Sequence, residues 1–233
     1  MIPNVLDNSA TSLLVDLQKD FDISFEPKDI DFCGVFQKSG KATIYYNPKI
    51  VNSASIAHEL LHVWLTRFNY SIGDHIYQGL RSDKKLNMVF NKSLCDYITN
   101  CCDHFKMYPK FINLGYKPAD FLKNSMDEKA SIKDLKEIKR LKQKFCCSYN
   151  SKAINFYIGS LFSIFADHVK NDYTQHHEYL KQLDYELYSI VSDFWNKWVI
   201  FDIENIDASN SDLDLTNSFI DNMKKWVKRK RIV

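Results

Sequence analysis

The chain has 233 residues, 45% hydrophobic and 26% charged, which is the balance of a globular protein with a substantial core and little disorder. With 31 Lys and Arg against 29 Asp and Glu, the net charge of +2 excludes a polyelectrolyte that holds nucleic acid over its whole surface. Six cysteines include two adjacent pairs but no C-x-x-C, so neither a thiolate zinc knuckle nor a disulfide framework is indicated.

Residues 9–20 (SATSLLVDLQKD) have helical apolar spacing behind a capping residue. The N-terminal stretch lacks a basic leader followed by an apolar core, and no run approaches the roughly 20 apolar residues of a membrane span. The expectation is a cytoplasmic protein without a membrane partner. Residues 33–47 (CGVFQKSGKATIYYN) read as a hairpin, with Val35 and Phe36 on one strand, a turn at 38–41 containing Gly40, and Thr43 to Tyr46 on the other. Pro48 stops the second strand, and Asn52 or Ser53 is the N-cap of a helix reaching about Phe68. A second helix is predicted from about Lys85 to Tyr108, ended by Pro109. From about Pro118 the pattern is helical nearly to the end, broken at 201–212 before a last helix. The predicted fold class is α+β, with a small N-terminal sheet, a helical majority and a helical C-terminal half. The partition that follows is a domain over 1–120 and a helical extension over 121–233.

The segment ASIAHELLHVWL, residues 54–65, carries the chemistry. His58 and His62 are four apart, so on a helix both imidazoles project from one face and can reach one ion. Glu59 stands where it can hold a metal-bound water rather than the metal. Two imidazole ligands beside a carboxylate base are the H-E-x-x-H arrangement of zinc hydrolases, in which zinc brings the pKa of a bound water toward about 7. From Asn52 to Thr66, Glu59 is the only acidic side chain, set among Ile56, Leu60, Leu61, Val63, Trp64 and Leu65. A lone carboxylate in such surroundings is costly to desolvate, and a metal-centred network resolves that cost. The bland alternative is a buried helix whose histidines are satisfied locally.

A tetrahedral site needs a third protein ligand and an open fourth position. The metzincin pattern requires Gly at 65 and His at 68, where the chain has Leu65 and Phe68, and no Glu occurs between Glu59 and Glu128 to serve as a gluzincin ligand. On the next helix, Asn100 and His104 lie beside an apolar stripe through Leu94, Ile98, Cys101 and Phe105, with Asp96 and Asp103 farther round. His104 is the best-placed third ligand, Asp103 and Asp96 are the alternatives, and Asn100 can orient a ligand. Tyr108, Tyr116 and His75 are the candidate oxyanion donors.

The strand ATIYYN, the connection PKIVNSAS and the helix AHELLHVWL resemble the zincin metallopeptidases, in which an edge strand ahead of the H-E-x-x-H helix aligns the peptide by strand addition. The nearer likeness is to small cytosolic zincins of the ImmA/IrrE kind and to HELLH proteins with a later N-x-x-x-H…P…LGY segment, here Asn100, His104, Pro109 and Leu114 to Tyr116. It covers about residues 30–120. It implies a zinc (Zn2+) metallopeptidase acting on a protein or peptide substrate, with His58 and His62 as ligands and Glu59 as base; the downstream Glu of the ImmA/IrrE pattern is absent.

The aromatic-rich C-terminal half reads as core, and His168, His176 and His177 read as surface or capping residues near helix ends. The last helix is expected to dock through Phe219, Met223, Trp226 and Val227 while its basic end stays wet. The rival function is a non-catalytic, zincin-like interaction protein whose basic helices contact a protein or nucleic-acid partner. An intact Glu59 favours the enzyme, because a scaffold has no physical need for a base next to the ligands.

Overall fold

A computed structural model describes residues 3–68, 70–122, 126–141, 148–169, 171–206 and 211–233. The architecture is α+β with a helical majority: among the described residues there are ten α-helices, a three-stranded sheet near the N-terminus and a two-stranded pair. No helix among them is long and apolar enough to cross a membrane. The chain divides into two compact units, one of Met1–Asn69 with Asp103–Met126, the other of Tyr70–Cys102 with Asp127–Val233.

In the first unit, α1 (Asn8–Leu17) is capped by Asp7, whose carboxylate accepts from the Ala10 N–H. Strands β1 (Asp22–Pro27), β2 (Gly34–Lys38) and β3 (Lys41–Tyr46) form a sheet in the order β1-β3-β2. The hairpin β2–β3 turns on Ser39 and Gly40, both at positive φ (51° and 76°), the two-residue geometry that matches strand twist. Strand β1, hidden in the sequence because DISFEP has only Ile23 and Phe25 as large apolar residues, pairs parallel to β3 with Ile23 opposite Ala42 and Phe25 opposite Ile44. These four and Tyr46 make one buried face. The strand ahead of the H-E-x-x-H helix is therefore central rather than an edge, and the free edge on its hairpin side belongs to β2.

Helix α2 (Ser53–Leu65) starts where Asn52 predicts. The Asn52 side chain accepts from the Ser55 N–H at 2.8 Å, and the Ser55 hydroxyl accepts from the Asn52 N–H at 3.2 Å. Ten of its 13 residues are buried, Glu59 among them. Arg67, just past its end, holds Asp16 at 2.6 Å and Asp20 at 2.7 Å, fastening α2 to the end of α1.

The predicted second helix is two. Helix α3 (Ile72–Arg81) precedes it; within the predicted span α4 (Lys84–Val89) ends at Phe90, where the backbone turns away, and α5 (Lys92–Asn113) begins where Asn91 accepts from the Leu94 N–H at 2.9 Å. Pro109 does not end α5 but lies inside it. The bond lost at its missing N–H is offset by packing just beyond it, where Phe111 is fully buried against Tyr116 and Phe121.

The second unit holds α3, α4, α6 (Ile132–Leu141), α7 (Ser151–Phe165), α8 (Thr174–Leu183), α9 (Tyr185–Ile200) and α10 (Asp212–Lys228). Residues 70–102 group here rather than with 1–69 because α3 packs on α10: Gly79 faces Ile220, and Asp212 binds both His75 and the Ser71 N–H. A cut near residue 120 therefore differs from the division into compact units. Phe162, Phe194, Trp195, Trp198 and Phe219 form the expected aromatic core, and α10 docks through Phe219, Met223, Trp226 and Val227.

The basic end of α10 is exposed as expected at Lys225, Lys228, Arg229 and Arg231, although two of its cations, Arg229 and Lys230, have acidic partners. Lys230 pairs with Asp184 at 3.5 Å over the Trp226 and Tyr149 rings, Arg229 pairs with Glu186, and β5 (Arg231–Ile232) lies parallel to β4 (Ser148–Tyr149). His176 is not a surface residue: it is 4% exposed, 3.1 Å from Glu128. His177 bonds to Tyr188, and burial pushes the His168 imidazole down to about 4. Cys95, Cys101 and Cys102 are buried free thiols and Cys33 is partly so; Cys146 and Cys147 lie outside the described residues.

Candidate metal centre

The site is assembled in the first unit from α2 and the second half of α5. Helical spacing puts His58 and His62 on one face of α2, and α5 supplies His104. The ring centroids are 5.2 Å apart for His58 and His62, 4.9 Å for His58 and His104, and 5.2 Å for His62 and His104, a nearly equilateral triangle. One nitrogen from each ring can be chosen so that all three lie within 4.8 Å of one another. These three residues are close enough to bind a metal ion, and His104 is the third member of the group.

The other sequence candidates separate cleanly. Asp103 is not a member of this group; its carboxylate is 3.8 Å from Nδ1 of His62. Asp96 and Asn100 are exposed and belong to the other unit, two turns and one turn respectively before His104 on α5, so neither joins the cluster. His75 is also in the other unit, held by Asp212 at 3.1 Å. Tyr116 is committed elsewhere: its hydroxyl donates to Asp7 at 2.8 Å and bonds to Ser53 at 3.0 Å, pinning the starts of α1 and α2 together. Tyr108 alone of the three proposed donors belongs to the aromatic group around the site, its ring 5.2 Å from Phe121.

Sequence reasoning misses Phe121, yet it is the hydrophobic wall of the cluster. It is 2% exposed and packs 4.8 Å from the His58 ring and 5.5 Å from that of His104. No periodicity marks it, because it follows a short 3-10 turn, Pro118–Asp120, outside any long helix.

Burial sets the protonation states. The His58 imidazole is pushed down to about 3 by desolvation and by the neighbouring His62, with the Phe121 backbone working weakly the other way. His58 is thus neutral near pH 7, the form in which an imidazole ligates. Its Nδ1 is buried without a hydrogen bond of regular geometry. The Glu59 carboxyl is pushed up to about 7, again by desolvation first, with His62 and the Val35 backbone N–H opposing. Val35 is on the edge strand β2, so that strand's backbone helps hold the carboxylate in place. Beside it, Cys33 is pushed up to about 12 by burial and the Glu59 charge, which leaves it a thiol.

A cleft of about 500 Å³ opens on this corner. His58 and Glu59 line it, with Asp31, Phe32 and Cys33 from the β1–β2 loop, Asn47, Ile50, Val51 and Asn52 from the β3–α2 connection, Ser55 from the first turn of α2, and Ala119 to Leu122. Asn47 braces two of these segments: it is buried, its amide donates to the Ile30 carbonyl at 3.0 Å, and its side-chain carbonyl accepts from the Lys49 N–H at 3.0 Å.

Comparison of the chain with protein-family models, curated proteins and solved structures finds no match.

Proposed function

We propose that this protein is a zincin-like, zinc-dependent peptidase in which Glu59 is the general base. The observation that carries the reading is the convergence of three imidazoles, from His58, His62 and His104, beside a buried carboxylate lining an open cleft. A donor set of three histidines is a coordination that zinc takes while keeping one position open, and the neutral state of His58 and the carboxylate 3.8 Å from His62 fit it. Zinc held there supplies Lewis acidity and a water acidic enough to attack near neutral pH.

The chain's own groups do the rest. His58 and His62 hold one side of the ion from α2, and His104 holds the other from α5. Glu59, with its pKa near 7, is matched to accept a proton from the attacking water and return it to the leaving amine. The Val35 N–H keeps that carboxylate aimed, and Phe121 excludes water from the back of the site. Tyr108 is the donor best located to meet a developing oxyanion. An extended substrate that aligns by strand addition does so on β2, because both edges of β3 are taken. Two of the basic side chains that the interaction-protein alternative relies on, Arg229 and Lys230, are already paired with Glu186 and Asp184.

The test is a pair of measurements. Glu59→Gln is expected to retain stoichiometric zinc and to lose peptide hydrolysis by about 10²-fold or more. Equal turnover in that variant removes Glu59 as the base, and wild-type protein that takes up less than stoichiometric zinc removes the metallopeptidase.

A further inference from the structure

The cleft is built from chemistry that selects a charge. Among the described residues its lining contains three carboxylates, Asp31, Glu59 and Asp120, and no lysine or arginine. Asp31 and Asp120 come from unrelated segments, the β1–β2 loop and the 3-10 turn before Phe121, and both are exposed. Neither forms an ion pair among the described residues, whereas the acids of the second unit's basic corner, Asp184 and Glu186, are paired.

These outer acids are also separate from the proton machinery. Glu59 is buried, whereas Asp31 and Asp120 are exposed. Next to Asp31 stands Phe32, 66% exposed, and across the connection stands Ile50, 58% exposed, two large apolar side chains left on the rim. Asn47 holds the Ile30 carbonyl and the Lys49 N–H, so the loop presenting Asp31 and Phe32 is braced against the segment presenting Ile50.

Resting on the peptidase reading above, we propose that the cleft selects a peptide bearing a lysine or arginine next to an apolar residue. Asp31 and Asp120 receive the cation, and Phe32 and Ile50 receive the apolar side chain. A concave, partly apolar wall concentrates the field of its carboxylates, so two solvent-accessible acids discriminate more strongly there than on a flat surface. A fixed anion in the substrate meets like charge from Asp31 and Asp120, which adds rejection to attraction.

The test uses zinc-loaded Glu59→Gln protein, which binds without turning over, and three fluorescein-labelled peptides of about twelve residues differing only in a central Lys, Ala or Glu beside a Phe. Anisotropy is expected to rank them Lys, Ala, Glu, with about tenfold between the ends at roughly 50 mM salt and a smaller ratio at roughly 500 mM. Adding Asp31→Asn and Asp120→Asn together is expected to bring the ratio to about threefold or less. Equal affinities, no detectable binding of the Lys peptide, or a ratio unchanged in the Asn double variant each overturn the proposal. The peptidase reading fails separately: zinc-loaded wild type that binds the Lys peptide with this preference and leaves it uncut defeats catalysis while the selectivity of the cleft stands.

Discussion

The seven histidines divide between the two units, and burial does not distinguish the groups. His58 in the first unit and His176 in the second are about equally hidden, at 6% and 4% exposed. What differs is the partner. In the second unit His75 faces Asp212 at 3.1 Å, His176 faces Glu128 at 3.1 Å, and His177 bonds to Tyr188 at 3.1 Å. Each of these has an acid or hydroxyl beside one ring nitrogen that locks a packing arrangement. In the first unit His58, His62 and His104 lie together, with Glu59 buried next to His58 in the helix and the Asp103 carboxylate 3.8 Å from His62 Nδ1. Rings whose nitrogens lie within 4.8 Å of one another are close enough to bind a metal ion.

The strongest way to break this contrast is to remove one histidine from each group. His58→Ala and His104→Ala are each expected to weaken zinc binding by about 10²-fold or more, since a binding free energy of about 10–16 kcal/mol is divided among three protein ligands and a water. His176→Ala is expected to leave zinc affinity within about twofold and to lower thermal stability instead. Calorimetric zinc titration with a thermal melt on each variant checks both sides. Loss of zinc in His176→Ala, or full retention in His104→Ala, dissolves the distinction.

A second difference appears in metal-free protein as pH changes. Glu59 holds its proton up to about 7, against a reference of 4.5, so between these values the unfolded chain has released a proton that the native state keeps. Stability therefore falls as pH rises through that window and levels off above it. His58 acts in the other direction: with its pKa lowered from 6.5 to about 3, stability is lost as pH falls from 6.5 toward 3. Glu59→Gln is expected to remove the alkaline-side loss and to stabilise apoprotein at about pH 8 by up to about 3 kcal/mol. Denaturant titrations at about pH 5 and about pH 8 measure it, and a variant no more stable than wild type at the higher pH contradicts the burial of a charged Glu59. In the second unit, Asp212→Asn is expected to cost about 1–3 kcal/mol, because the carboxylate serves both His75 and the Ser71 N–H and the variant weakens both.

What is legible in the sequence follows the range of the interactions involved. Asn52, Ser55 and the H-E-x-x-H spacing act within one helix, and the turn at Ser39 and Gly40 acts within one hairpin, so both are readable locally. His104 is reachable because helical geometry ranks the side chains of α5 by the face they share. The pairing of β1 with β3 is not, since Ile23 and Phe25 alone give too short a period and the partner lies 19 residues on, Asp22 opposite Lys41. Nor is the passage of α5 through Pro109, which depends on Phe111 finding Tyr116 and Phe121. The cleft is the extreme case: Asp31, Asn47 and Asp120 come from three segments outside the α-helices that only the folded chain brings to one cavity.

Asp103 gives the smallest and finest test of the contrast. At 3.8 Å from His62 Nδ1 it is beyond a good hydrogen bond, yet both side chains are only 16% exposed, so the carboxylate acts on that ring through a medium less screened than bulk water. If it orients His62 and raises its basicity, Asp103→Asn weakens zinc binding by about tenfold, at the low end of what such carboxylates contribute, and leaves the binding stoichiometry unchanged. If Asp103 were itself a ligand, as its place beside His104 in the sequence allows, the loss would match that of His104→Ala. A loss near tenfold keeps the three histidines as the complete protein donor set, with the acid in the first unit supporting a ligand while Asp212 and Glu128 in the second unit each face a single histidine.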